Sequence, residues 1–162
     1  MDGTGLGALA GFVVANVAAA SSGALFRPGD WYEHLNKPWW RPPNWLFGPA
    51  WSVLYLMNSF AGWYVWSAAE PDEVLRVLTL YGISLALNAA WSGIFFGLRR
   101  MDLALVELIT LWASIALMIF VFRPISETAA LLLVPYLAWV SFAGVLNFTM
   151  WRLNPRPSAG AV

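Results

Sequence analysis

Cysteine is absent from all 162 residues, which removes disulfides, thiolate nucleophiles and Cys-ligated metal sites together. Histidine occurs once, at His34. With one imidazole and no clustered carboxylates, neither a catalytic triad nor a metal site can be assembled, and no cofactor is expected. Charge is scarce as well: 11% of residues are Asp, Glu, Lys or Arg, against about a quarter in ordinary soluble domains. The formal net charge is zero, which argues against a nucleic-acid partner. Hydrolase and metalloenzyme chemistry are therefore poor expectations.

What fills the chain instead is apolar: 60% of residues are hydrophobic. Runs of about 20 such residues mark transmembrane helices, their length set by the hydrocarbon layer. Five are read, at residues 6–26, 44–68, 74–98, 102–122 and 128–151. Too little remains for a separate soluble domain. Residues 1–162 are expected to form one all-α membrane bundle, with a connector at 27–43 and a short disordered tail at 155–162. Ala18-Ala19-Ala20-Ser21 could pass for a signal-peptidase site, but a secretory signal needs a basic start and the early charge is Asp2. The first helix is read as uncleaved.

Five crossings place the termini on opposite sides. Arg27, Lys37, Arg41, Arg99, Arg100, Arg152 and Arg156 fall on one side, and Arg76 and Arg123 on the other. Basic residues gather in the cytoplasm, so the N-terminus is expected outside and the C-terminus inside.

The connector and its continuation are the most informative stretch. Between Trp31 and Trp51 lie five tryptophans and four prolines, counting both ends. Pro38, Pro42 and Pro43 lack backbone donors and bias the preceding residues toward extended geometry, so no single helix spans the connector. Indoles are costly to leave in water, which predicts a rigid aromatic cap folded over a site.

Small residues mark helix contact faces in lipid. Gly7, Gly11, Ala15, Ala19 and Gly23 form one ridge, and Gly82, Ala86, Ala90, Gly93 and Gly97 another. Either could pack within the bundle or against a second copy. Glu70-Pro71-Asp72-Glu73 is a turn whose acids favour a helix start. Pro135 lies within the fifth span and should bend it.

Polar side chains inside spans cost energy unless paired. Asn16, Asn58, Asn88 and Asn147 each suit an interhelical hydrogen bond, but some have aromatic company. Trp51, Tyr55 and Asn58 share one helical face; Asn88, Trp91 and Ser92 share another; Trp139, Ala143 and Asn147 share a third. Such faces suit a pocket for a large planar apolar molecule, with Trp39 of the connector joining the candidates. His34 suits an interfacial loop position better than a haem ligand, and Glu107 is expected to snorkel toward Arg99 or Arg100.

These residues resemble the tryptophan-rich sensory protein or translocator protein (TspO/MBR) family, also called the peripheral benzodiazepine receptor. The resemblance is carried by Trp31-Tyr32, Leu35, Lys37-Pro38, Trp40, Pro42-Pro43, Phe47 and Trp51-Ser52-Val53-Leu54-Tyr55. Leu87 to Ser92, Phe95-Phe96-Gly97, Pro135 to Trp139 and Leu146-Asn147-Phe148 extend it over nearly the whole chain. The resemblance implies a five-helix bundle, commonly a homodimer, whose first connector lids a pocket for porphyrins such as protoporphyrin IX and for benzodiazepine-type drugs. It places Tyr32, Trp51, Tyr55, Asn88, Trp91, Trp139 and Ala143 at pocket positions. It also implies a multi-pass protein of a bacterial cell envelope. The animal cholesterol motif requires a tyrosine that the run Leu146 to Arg152 lacks, which favours tetrapyrrole over sterol handling.

Two functions compete. One is a porphyrin-binding receptor, sensor or translocator. The other is light- and oxygen-dependent porphyrin degradation, with Trp51 and Trp139 as candidate redox partners. A regulatory role through a protein partner is a third possibility that no residue identifies.

Overall fold

The computed structural model describes residues 3–155; Arg156 and the rest of the expected tail lie outside the described residues. The described residues contain helices and no strand. They are α1 (Gly3–Leu25), the short α2 (Asp30–Glu33), α3 (Asn44–Ala68), α4 (Val74–Ser92), α5 (Met101–Phe122) and α6 (Glu127–Leu153). α4 runs on into a π-helical turn, Gly93–Gly97.

Among the described residues, four helical stretches are long and apolar enough to cross a membrane: Gly5–Leu25, Val74–Gly97, Met101–Phe122 and Glu127–Leu153. The second long helix, α3, is outside that group. Its sequence explains why: tryptophan, tyrosine, asparagine, serine, glycine and proline replace much of the Leu, Ile and Val that the other helices carry.

Helix limits follow local chemistry. Pro43 caps α3 in extended geometry, with φ −62° and ψ 147°, and Pro71 stops the chain from continuing α3. Ser126 caps α6 by accepting a hydrogen bond from the Ala129 amide at 3.3 Å. α6 is continuous through Pro135. Arg76 pairs with Glu73 at 3.0 Å, both partly exposed, so the pair adds little stability. The π turn closes with the Leu98 amide on the Gly93 carbonyl at 2.8 Å and the Arg100 amide on the Ile94 carbonyl at 3.2 Å. Between them Arg99 takes φ 55°, a left-handed conformation usually left to glycine.

Two polar assemblies pin the helices. Asn16 of α1 donates to the Tyr81 hydroxyl of α4 and accepts from the Asn58 amide of α3 at 2.9 Å. Tyr81 in turn donates to the Asn58 carbonyl at 3.1 Å. All three residues are buried, so Asn16 and Asn58 serve helix packing. Asn147 does likewise, donating to the Met101 carbonyl at 2.9 Å and tying α6 to the start of α5.

The small-residue ridges divide along their length. A Cβ on Gly7, Gly11 or Gly82 would meet nothing within 4 Å, whereas Gly93 and Gly97 are covered by the Phe26 ring. Gly62, on neither ridge, is the tightest of the described glycines: a Cβ there would lie 2.6 Å from the Phe12 ring and 2.8 Å from the Tyr81 ring.

Candidate functional site

The connector is fastened to the bundle at several points. Tyr32 is buried, with its ring 5.5 Å from Phe96 and 6.4 Å from Phe95. Trp31 meets Phe95 at 6.0 Å, and Trp40 meets Phe142 of α6 at 6.0 Å. A reciprocal amide clasp holds its middle: the Asn36 backbone amide donates to Asn154 Oδ1 at 2.8 Å, and Asn154 Nδ2 donates to the Asn36 carbonyl at 2.9 Å. Lys37 donates to the Glu33 and Leu35 carbonyls, with its ammonium 4.8 Å from the centre of the Tyr32 ring. Arg41 donates to the Tyr32 hydroxyl at 3.3 Å and to Asn44 Oδ1 at 2.7 Å. Both cations thus hold the connector itself.

A cavity of about 330 Å³ lies between the helices. α3 supplies Phe47, Gly48, Trp51, Ser52 and Tyr55; α4 supplies Asn88, Trp91 and Ser92. α5 adds Leu108 and Leu111, α6 adds Val140 and Ala143, and α1 closes the ring with Ala20, Ser22 and Gly23. Apolar and aromatic walls with a few fixed polar groups are what a small-molecule pocket requires.

Asn88 organises the polar side. Its Oδ1 accepts from the Tyr55 hydroxyl and its Nδ2 donates to the Tyr136 hydroxyl at 2.6 Å, joining α3, α4 and α6. Trp51 stands over this group, 5.6 Å from the Tyr55 ring and 6.2 Å from the Tyr136 ring. Trp91 stacks on Phe95 at 4.9 Å with 28° between planes. Its indole Nε1 is buried and has no hydrogen-bond partner within the chain.

Of the sequence candidates, Trp51, Tyr55, Asn88, Trp91, Ser92 and Ala143 line this cavity together. Trp139 stands one row back, 6.4 Å from Trp51, packed also against Phe47 and Phe142. Tyr32 is outside the lining, held among the phenylalanines of the π turn. Trp39 is 95% exposed and faces away from the bundle, because the tight turn after Pro38 sends Trp40 inward instead. Asn147 is buried at the α5–α6 contact rather than at the cavity. Asn58, grouped by spacing with Trp51 and Tyr55, is drawn away by Asn16.

Glu107 departs from expectation too. Both of its carboxylate oxygens are buried without a hydrogen bond, and Arg100 pairs with Asp102 at 2.8 Å. Asp102 starts α5 two residues from Arg100 and offers a bidentate grip that Glu107, more than a turn further along, does not reach. His34 is exposed, its Nδ1 2.6 Å from the Asp30 carbonyl.

Sequence reasoning missed the contribution of α1. Its small residues read as packing surface, and only their place opposite Ser92, 3.9 Å from a Cβ on Gly23, reveals a cavity wall. Leu108, Leu111 and Val140 were also missed, since nothing distinguishes them from ordinary apolar helix residues.

Comparison with known proteins shows the family to which the chain belongs. The TspO/MBR family profile matches residues 10–152. The chain is 41% identical over 145 residues to protein CrtK of Rhodobacter capsulatus, covering 89% of this chain and 91% of that one. It is 41% identical to the tryptophan-rich sensory protein of Cereibacter sphaeroides, covering 93% and 94%. It is 39% identical to the human translocator protein, covering 89% and 88%. Matched along most of its length and built of several long apolar helices, the chain belongs to the TspO/MBR family and is a multi-pass integral membrane protein.

Proposed function

We propose that this protein is a membrane receptor or translocator for flat hydrophobic ligands of the porphyrin type, protoporphyrin IX foremost, with benzodiazepine-type drugs as surrogate ligands. One observation carries the reading. Aromatic rings from α3 and α4 flank a cavity whose polar wall is Asn88, held in place by the Tyr55 and Tyr136 hydroxyls. The names of the relatives, sensory and translocator protein, point the same way.

The cavity is at the small end of the range of about 300–1,000 Å³ for ligand sites, and a tetrapyrrole needs more room. Binding therefore goes with widening of the cavity or with part of the macrocycle left outside. We place α3 across the bilayer as well: its 25 residues reach about 37 Å, and it packs against α1 and α6. That gives five crossings with the N-terminus outside, the connector covering the cytoplasmic end of the bundle. Homodimerisation would use the exposed part of the α4 ridge at Gly82, Ala86 and Ala90.

The test compares Trp139→Ala with Trp112→Ala. Trp139 supports Trp51 at the cavity wall, while Trp112 is 41% exposed and bonded to Ser141. Fluorescence quenching by protoporphyrin IX should show weaker binding for Trp139→Ala by at least about tenfold, as expected when the ring that supports Trp51 at the cavity wall is lost. Equal affinities in the two variants would remove the assignment.

A second reading rests on the 6.4 Å separation of the Trp51 and Trp139 rings. An excited porphyrin beside Trp51 would exchange an electron with the indole pair, with dioxygen as terminal acceptor, and the macrocycle would be degraded. Unchanged product formation under light in Trp51→Phe and Trp139→Phe would make the two rings bystanders.

A further inference from the structure

Ligands of the class just proposed dissolve in the bilayer, and the cavity's walls show how such a molecule reaches it. No residue of the connector, 26–43, lines the cavity. Its flank is formed by Ser22 and Gly23 of α1 and by Gly48 and Ser52 of α3. Gly23, Gly48 and Ser52 are all exposed residues. Small residues therefore make this flank of the cavity its thinnest wall.

Small residues in membrane bundles normally mark close backbone approach, and Gly62 does so against Phe12 and Tyr81. Gly48 and Gly23 do not. A Cβ on Gly48 would meet nothing within 4 Å, and one on Gly23 would meet only Ser92 Oγ at 3.9 Å. α1 and α3 are thus clamped at one end and apart at the other. The clamp comprises the Asn16–Asn58 hydrogen bond, the Gly62–Phe12 contact and the bond from Trp63 Nε1 to the Gly5 carbonyl at 3.0 Å. The connector, by contrast, is held shut by the Asn36–Asn154 clasp and its buried rings.

We propose that the slot between Gly23 of α1 and Gly48–Ser52 of α3 is a side doorway through which a membrane-dissolved ligand passes between the hydrocarbon layer and the cavity. The inference rests on the ligand class proposed above. It also accounts for a cavity smaller than a tetrapyrrole, because the open flank lets part of the macrocycle project between the two helices. Small side chains along the slot leave a gap one ring thick without breaking any helix hydrogen bond. Substituents on the ring then face the lipid at the doorway, while the polar edge lies toward Asn88.

The experiment measures stopped-flow quenching by protoporphyrin IX with the protein in lipid nanodiscs. Gly48→Leu/Ser52→Leu fills the slot from α3, and Gly23→Leu fills it independently from α1. In a third protein the connector is pinned by a short bis-maleimide across Asn36→Cys/Asn154→Cys, the chain having no other cysteine. Both slot variants are expected to slow association and dissociation, each by at least about tenfold. The pinned protein is expected to exchange ligand at the unmodified rate. Unchanged rates in both slot variants, a rise in Kd without slowing, or exchange abolished by the pinned connector would overturn the doorway while leaving the binding reading intact. Absence of saturable quenching in the unmodified protein would overturn both.

Discussion

Gly62→Ala is the sharpest test of how α1 is held in place. The added methyl would lie 2.6 and 2.8 Å from two Phe12 ring carbons and 2.8 Å from a Tyr81 ring carbon, where carbon atoms prefer about 3.5–4.0 Å. Phe12 is only half-buried and can swing toward the lipid. Tyr81 cannot, because its hydroxyl is tied to Asn16 and to the Asn58 carbonyl. The strain must be met by parting α1 from α3 or by breaking that hydroxyl's bonds. Overpacking of this kind costs about 1–3 kcal/mol, and each interhelical hydrogen bond lost in lipid about 0.6–1.7 kcal/mol more. A total of about 2–5 kcal/mol follows from these two contributions. Gly48→Ala is the matched control, since its new methyl meets nothing and gains helix propensity of up to about 1 kcal/mol. Steric-trapping measurements in bicelles would read both free energies directly. Equal effects of the two substitutions, or a stabilised Gly62→Ala, would refute the packing argument and with it the claim that α1 is clamped at that end.

Other expectations follow from single contacts. Arg99→Gly relieves a left-handed backbone that costs an L-residue about 1–2 kcal/mol, offset by about 0.5–1 kcal/mol of glycine entropy; Tm should rise slightly, and a lowered Tm would contradict the account. Asn154→Ala removes the acceptor of the Asn36 amide, so hydrogen exchange at Asn36 should quicken by about fivefold, one hydrogen bond's worth; unchanged protection would mean that other contacts hold the connector. Asn88→Leu deprives Tyr55 and Tyr136 of their shared partner, and a double-mutant cycle with Tyr55→Phe should give a coupling of about 0.6 kcal/mol or more. A coupling of zero would show that the amide and the hydroxyl act independently.

Helix limits were legible wherever proline and charge punctuate the chain. The expected span 44–68 coincides with α3, fixed by Pro42-Pro43 before it and Glu70-Pro71 after it. The π turn was not legible, because nothing in the order Gly93-Ile94-Phe95-Phe96-Gly97 sets it apart from an α-helical run, and the Phe26 ring packed on both glycines comes from a distant part of the chain. At the site, intervals of three, four and seven brought out Trp51, Tyr55, Asn88, Trp91, Ser92 and Ala143, since helical spacing alone fixes which side chains share a face. Spacing does not say how deep a face is buried or what opposes it. That is why Asn58 goes to Asn16, and why Trp139 stands behind Trp51. Glu107 was misjudged for a related reason: the nearer Asp102 occupies Arg100 first.

The π turn has a consequence for changes in chain length. A π turn amounts to an α-helix carrying one surplus residue, so excising Ile94 would leave a regular helix between the same neighbours. The residues inside the turn would then shift about the helix axis, while the helix on either side kept its register. Phe95 and Phe96 would swing off Tyr32 and Trp31, and the connector would lose its aromatic seat without any of its own residues having been touched. A deletion of one letter in α4 thus becomes a lesion in a segment some sixty positions earlier.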